Sequence, residues 1–452
     1  MAKYFGTDGV RGVANTPPIT SELALRLGQA AGQVFRKYTP HARPTVVIGK
    51  DTRLSGYMLE SALQSGFTSM GFYCLIVGPL PTPAVAMLTR SLRADLGVMV
   101  TASHNEFIDN GIKLFSADGI KISPKMQEEI EYLMENPEKI ELASPDKIGK
   151  AVRLDDAIGR YTEFCKMSVP KTLSLEGMRI VVDCAHGAAY KIAPKVLWEM
   201  GAQVVRIGCE PDGHNINRNC GAVHPEAMCE AVKSHGADLG ISLDGDADRL
   251  IMCDEKGKVL DGDQIIAAIA TYMKKNKTLK NGVVGTVMSN MGMEDYFKKL
   301  GVEFVRTPVG DHHVERAMRE GEHNIGGESS GHIIFSDFAT TGDGLLAALQ
   351  FLDVMKEEGV QASKLGATFK PFPQKLHNIR VENDDLAEKM LTHVSVTTHI
   401  ESVEKDLNGE GRVLIRKSGT EPLVRVMVEA RKNDLVETYT KSIVKTMELV
   451  VS

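Results

Sequence analysis

The feature that most constrains this chain is a strand, helix and strand pattern that occurs three times with glycines at comparable places. TVVIGKDTRLSG leads into a helical stretch ending at Met70-Gly71, and FYCLIVG follows as the next strand. RIVVDCAHGAAY leads in the same way to Met200-Gly201 and AQVVRIG, and GVVGTVMSNMG leads to Leu300-Gly301 and VEFVRTPVG. Each copy has a β-branched run, an amphipathic helix, a glycine able to take the left-handed conformation after the helix, and a second strand. That order spells a parallel βαβ unit. A chain of 452 residues exceeds what one hydrophobic core holds, about 250–300 residues, so three separate α/β domains are expected. A further echo links the first two: ADLGVMVTASHN begins at Ala94 and ADLGISLDGDAD at Ala237, and nine residues on stand Ser103 and Asp246. Equivalent strand ends therefore carry different polar groups, and strand ends are where open α/β sheets place their sites.

After Pro371 and Pro373 the pattern changes to LHNIRVEN, a helical stretch, RVLIRKSGTEPLVRVMVEA and a last amphipathic helix, which predicts a small α+β domain. Boundaries near 150, 255 and 370 divide the chain into 1–150, 151–255, 256–370 and 371–452. Hydrophobic residues make up 43% and charged residues 25%, enough apolar surface for packed cores and no sign of disorder. The formal net charge of -6 argues against a nucleic-acid partner, whose phosphates would call for basic excess. MAKYFGTDGVRG has no apolar run after its lysine, and nothing approaches the ~20 apolar residues of a membrane span, so a cytoplasmic protein is expected. The seven cysteines are odd in number and never form Cys-x-x-Cys, which indicates neither a disulfide framework nor a zinc site. Cys74, Cys184 and Cys253 lie in apolar runs and read as packing thiols.

Four loops carry the chemistry. LDGDADRL sets Asp244, Asp246 and Asp248 at alternate positions after an apolar strand, with Gly245 permitting a tight turn. Three carboxylates this close repel unless a cation intervenes, and hard oxygen ligands suit Mg²⁺. An EF-hand needs Gly at the sixth loop position, where Arg249 stands, so a calcium loop is disfavoured; a solvated acidic turn is the bland alternative. VTASHN places the Ser103 hydroxyl at a strand-to-loop junction beside His104 and Asn105, with no Gly-x-Ser-x-Gly elbow to support a hydrolase. GGESSGH offers Glu328 and Ser330 to sugar hydroxyls and His332 to protons, or is simply a turn. RKSGTEPLVR gathers Arg416, Ser418, Thr420 and Arg425 around Gly419, the forks, hydroxyls and loop amides that a phosphate dianion needs. Arg11 in GTDGVRG and Lys113 in NGIKLF are single basic residues that gain meaning only from a wider pattern.

That pattern exists. FGTDGVRG, TASHN, DGDADR, GESSGH and RKSGTEP, in this order across nearly the whole chain, resemble the α-D-phosphohexomutases, and the FGTDGVRG opening resembles the bacterial glucosamine branch. The resemblance implies three related mixed α/β domains around a cleft plus a small C-terminal α+β domain, with one motif from each. It implies that Ser103 is the phosphoserine and completes a Mg²⁺ site with Asp244, Asp246 and Asp248, that Arg249 contacts the phosphoserine region, and that Glu328 and Ser330 read sugar hydroxyls. Arg416, Ser418, Gly419, Thr420 and Arg425 match the clamp on the non-reacting phosphate. Lys113, His332 and Arg11 match residues near the transferring group, with acid or base roles for Lys113 and His332. The implied reaction interconverts glucosamine 6-phosphate and glucosamine 1-phosphate through glucosamine 1,6-bisphosphate, in precursor synthesis for the cell envelope, and a homodimer is the implied assembly. The rivals are a phosphomannomutase or phosphoglucomutase, a Mg²⁺-dependent phosphatase, and a noncatalytic phosphosugar sensor. One departure is visible: Gly310-Asp311-His312-His313, preceded by Pro308, stands where many members of the branch have Gly-Asp-Arg-Tyr and a preceding lysine.

Overall fold

Strand Thr45–Lys50 shows how the first repeat folds. Its Val46, Val47 and Ile48 have no exposed surface, because helices Ser55–Ser69 and Thr82–Ser91 both pack against it and a strand buried on both faces reads as a continuous apolar run. It pairs in parallel with Tyr73–Pro79 on one side and Leu96–Val100 on the other, and the latter pairs antiparallel with Asp109–Ser116. The same order recurs in a second sheet as Gln203–Ile207, Arg179–Asp183, Leu239–Leu243 and antiparallel Leu250–Asp254. It recurs in a third as Phe304–Thr307, Val283–Thr286, Ile325–Gly327 and antiparallel Ile333–Phe335. The glycines after the three helices, Gly71, Gly201 and Gly301, all have positive φ (85°, 101° and 66°), as the sequence required.

This computed structural model describes residues 3–6, 8–39, 41–417 and 423–451. They divide into two units, Met1–Ser289 with Val302–Thr368, and Asn290–Gly301 with Phe369–Ser452. The first unit holds the seven-, five- and four-stranded sheets, so the expected related α/β segments are present, each of mixed rather than purely parallel strands. In the second unit an antiparallel sheet ordered Gln374–Arg380, Leu423–Ala430, Gly411–Lys417 lies under helices Asp384–Thr392, Val394–Leu407 and Asn433–Val451. Val424, Val426, Val428, Met390, Val396, Ile443 and Met447 form its core, giving the small α+β domain that the sequence predicts. Helix Met291–Leu300 belongs to this unit: Met291 N–H donates to Glu429 Oε1 (2.8 Å), and Asp295 pairs with Arg431 (2.7 Å). Among the described residues no helix is long and apolar enough to cross a membrane. Cys74, Cys184 and Cys253 are buried free thiols.

Helix Gly344–Glu358 is apolar nearly all round and runs through the interior of the first unit. Its N-cap, Asp343, accepts from Leu346 N–H (3.0 Å) and from the Tyr161 hydroxyl (2.9 Å) while only 1% exposed. Burial pushes its carboxyl from 3.8 up to about 6. A folded-state pKa above the unfolded one means that the folded protein binds this proton more tightly, so stability falls as pH rises from the unfolded to the folded value and the cost is complete above it. Asp343→Asn keeps both acceptor functions without the charge. It is expected to raise Tm at a pH of about 7.5, by no more than about 3 kcal/mol in stability, and to match the parent once the pH is low enough to protonate Asp343 in both states. A Tm unchanged or lowered at the higher pH would refute the buried charge as a cost.

Candidate functional site

The segments singled out by sequence occupy one structural position in the three sheets: each joins the third strand to its antiparallel partner. Ser103 stands between Leu96–Val100 and Asp109–Ser116, the three aspartates between Leu239–Leu243 and Leu250–Asp254, and Glu328 to His332 between Ile325–Gly327 and Ile333–Phe335. The first two loops touch. The Ser103 hydroxyl donates to Asp244 Oδ2 at 2.6 Å, and Ser103 is 1% exposed. A Cβ on Gly245 would lie 2.5 Å from Ser103 O, so only glycine lets the two backbones approach this closely. Ser103 holds φ +51°, a left-handed conformation that costs a non-glycine residue about 1–3 kcal/mol and persists only where surrounding contacts over-determine it.

Asp244, Asp246 and Asp248 present carboxylate oxygens within 4.8 Å of one another, at 0%, 0% and 4% exposure. A solvated acidic turn is thereby excluded. Burial, together with Asp248 and Asp246, pushes the Asp244 carboxyl well above its ordinary range. Burial acts the same way on Asp248, but Lys113 and His332 override it and hold that carboxyl well below the range. Lys113, itself 2% exposed, is 2.9 Å from Asp246, 3.2 Å from Asp248 and 3.3 Å from Asp8; burial lowers its pKa, yet these carboxylates carry it well above the usual lysine value. Asp246 also accepts from the Thr82 hydroxyl at 2.5 Å. Asp246 Oδ1 and Asp248 Oδ1 are buried with no hydrogen-bond partner, and an all-oxygen donor set with two such orphaned atoms fits a hard divalent cation.

Positive charge gathers beside these carboxylates. Burial pushes the His104 imidazole down to about 3, and nearby Arg249, Arg11 and Lys113 add to the effect, so His104 is neutral and reports the crowd of cations around it. Arg249 N–H donates to Asp244 Oδ1 (3.2 Å), and Arg11 pairs with Asp8. His332 is buried; its Nε2 accepts from Gly342 N–H (3.1 Å) and its Nδ1 lies 3.8 Å from Asp248. Glu328 is half-buried and Ser330 exposed, and Glu328 Oε1 accepts from Gly310 N–H (3.1 Å). The atypical Gly310-Asp311-His312-His313 segment thus abuts the Glu328 loop; the two imidazole centroids are 4.0 Å apart, and Asp311 pairs with Lys121, which also pairs with Asp8.

Sequence reading missed several residues here. Arg53, Asp51 and Thr101 support the Ser103 loop, Asn217 reaches it from the second sheet's segment, Thr82 donates to Asp246, and Asp8 and Lys121 extend the charge array. Only Asp51 and Arg53 left a signal, as charged residues just after strand Thr45–Lys50. In the C-terminal unit Arg416 and Arg425 are directly opposite across the antiparallel pair. Ser418, Gly419 and Thr420, which complete the predicted phosphate clamp, lie outside the described residues.

Comparison with known proteins accords with this arrangement. Models of phosphoglucomutase/phosphomannomutase alpha/beta/alpha domains I, II and III match residues 2–141, 159–257 and 261–372, and that of the C-terminal domain matches 376–446. Phosphoglucosamine mutase of Phenylobacterium zucineum is 55% identical over 450 residues, and that of Rhodospirillum rubrum 56% over 451, each alignment covering 99% of both chains. A phosphoglucomutase/phosphomannomutase family protein of Burkholderia thailandensis has the same fold, with TM-score 0.81 at 21% identity over 98% of this chain and 97% of that one. N-acetylphosphoglucosamine mutase of Aspergillus fumigatus, solved with GlcNAc-6P and magnesium, has TM-score 0.69 at 17% identity over 100% of this chain and 96% of that one. With all four domain families in order and full-length relatives above half identity, the chain belongs to the α-D-phosphohexomutases, among the bacterial phosphoglucosamine mutases.

Proposed function

We propose that the protein interconverts glucosamine 6-phosphate and glucosamine 1-phosphate, with Ser103 carrying the phosphoryl group. The observation that carries this reading is the Ser103 hydroxyl 2.6 Å from Asp244, at the edge of a buried carboxylate cluster ringed by Arg11, Lys113 and Arg249. Phosphoryl transfer depends chiefly on in-line positioning and charge stabilisation, and the gathered cations support the second. In the first half-reaction the P–O bond to Ser103 Oγ breaks as a bond to the sugar hydroxyl forms, giving glucosamine 1,6-bisphosphate. The proton displaced from the sugar ends on Ser103 Oγ, whose hydroxyl then donates to Asp244. The second half-reaction runs in reverse from the opposite phosphate, after the sugar has turned over. Lys113, held as an ammonium by Asp246, Asp248 and Asp8, stabilises the charge in transit and serves as an acid, while His332 is the second proton-handling group.

Asp244, Asp246, Asp248 and the phosphate on Ser103 would hold Mg²⁺, which when bound offsets negative charge on the transferring group. The orphaned carboxylate oxygens support this assignment, as does the magnesium in the Aspergillus enzyme of the same fold. Glu328 and Ser330 read sugar hydroxyls in both orientations. Arg416 and Arg425, with Ser418, Gly419 and Thr420, grip the phosphate that is not reacting, and Arg249 orients the phosphoserine. A small phosphosugar partner, a cytoplasmic location and a homodimeric assembly complete the reading. A phosphatase would instead release inorganic phosphate, and a sensor would turn nothing over.

Ser103→Ala is expected to reduce conversion of glucosamine 6-phosphate by at least about 10³-fold, measured by coupled assay and by loss of the phosphorylated species in intact-mass spectra; near-normal turnover would sink the phosphoserine reading. Thr82→Val, which removes a hydroxyl partner of Asp246, should weaken divalent-cation binding by about 10–100-fold, and Asp246→Asn should weaken it further. Calorimetric titration with Mg²⁺ that gives parental affinity for both variants would rule out the ligand set. Arg425→Ala should chiefly raise KM for the phosphosugar, by about tenfold or more, and an unaltered KM would remove the arginine from the clamp.

A further inference from the structure

The largest fully buried side chain among the described residues is a charged one, Arg53, and every guanidinium donor it has is in use. Nε donates to Asp51 Oδ2 at 2.8 Å, Nη1 to the carbonyls of Glu106 and Asp109, and Nη2 to the carbonyls of Ser103 and Asn105, each at 2.9 Å. A guanidinium has five N–H groups, so none is left over for a phosphate. The countercharge is local as well, since Asp51 is fully buried and also accepts from Arg53 N–H (2.9 Å) and the Thr101 hydroxyl (2.7 Å), while Thr101 Oγ1 in turn accepts from Ser103 N–H (2.9 Å).

Asn217, 3% exposed and contributed by the second sheet's segment, repeats the Nη2 pattern: its Nδ2 donates to Ser103 O at 2.8 Å and to Asn105 O at 2.9 Å. The carbonyls on either side of His104 therefore each receive one hydrogen bond from Arg53 and one from Asn217. Two carbonyl oxygens with both lone pairs satisfied fix the Ser103–His104 and Asn105–Glu106 peptide planes, the first of which borders the left-handed Ser103. A lysine at position 53 would keep the charge but present a point rather than a planar fork, and could not span four carbonyls and a carboxylate.

We propose that Arg53 and Asn217 are positioning residues for phosphoryl transfer: together they hold the strained Ser103 backbone so that Oγ faces the carboxylate cluster. Asn217 makes that geometry conditional on the docking of the second segment against the first. The proposal rests on the mutase reading and assigns neither residue a contact with substrate. Misplacing a reacting atom by about 1 Å costs on the order of 10²-fold in rate. In the full-length protein, Arg53→Lys is expected to lower kcat for glucosamine 6-phosphate by about 10²-fold and Asn217→Ala by about tenfold, with KM for the phosphosugar within about threefold of the parent in both. Intact-mass spectrometry of the phosphorylated forms should show phosphate on Ser103 lost to water faster than in the parent. A purely structural role would instead lower Tm and the folded fraction while leaving kcat per folded molecule and the phosphoserine lifetime unchanged, and that result overturns the proposal. If Arg53→Lys does not fold, Asn217→Ala decides alone by the same two measurements. A parent protein that neither turns over nor carries phosphoserine overturns the mutase reading itself, which keeps the two outcomes distinct.

Discussion

Everything at the centre of this molecule depends on compensating buried negative charge. Asp244, Asp246 and Asp248 are nearly without exposed surface, and three carboxylates in that state are tolerable only beside cations. Lys113 supplies one from the first sheet, and its own burial is tolerable only because Asp246, Asp248 and Asp8 surround it. The chain continues outward through Lys121 to Asp311 at the start of the atypical loop. Each charge is thus stabilised by a neighbour from a different stretch of sequence, and the segments of the first unit are tied together where their loops meet. The same excess of acidic oxygen and cationic nitrogen in one pocket suits a group that arrives as a dianion and leaves as one.

The repeated topology brings these charges to one place. Three sheets with the same strand order deliver their third-to-fourth strand connections to equivalent positions, and the chain has placed a hydroxyl on the first, carboxylates on the second, and a glutamate with a histidine on the third. Divergence of a duplicated frame accounts for the arrangement without requiring that any loop be long: each is closed by an antiparallel ladder at both ends.

Much of this was legible in the sequence, for physical reasons. The βαβ units announce themselves because a parallel strand covered on both faces must be apolar throughout and because the residue after each helix needs a positive φ. The carboxylate loop stands out because alternate aspartates have little structural use without a cation. The antiparallel fourth strand was harder to read, since Leu250–Asp254 and Ile333–Phe335 are short apolar runs that follow a motif without a helix between. Arg53 and Asn217 were invisible as partners, because a buried guanidinium and an amide that serve backbone carbonyls in another segment leave no periodicity and no local spacing. Helix Met291–Leu300 reads as the crossover of the third repeat, and so it is by chain order; that it belongs with the C-terminal unit depends on contacts such as Asp295 with Arg431 that no local pattern encodes.

The closure of each loop by paired strands also limits how this enzyme can diversify. A residue inserted into the 244–249 connection cannot be absorbed by sliding Leu250–Asp254 along its neighbour, because a one-step slip would turn every buried side chain of that strand to the opposite face. An insertion there would have to bulge the loop itself and so disturb the buried carboxylates, whereas a segment that no ladder pins at both ends can change length without that cost. The 308–313 stretch is such a segment: it runs from the end of strand Phe304–Thr307 into a helix, carries a histidine pair and meets Glu328 through Gly310 N–H. Freedom to vary in length is therefore greater in the 308–313 stretch than in the carboxylate loop.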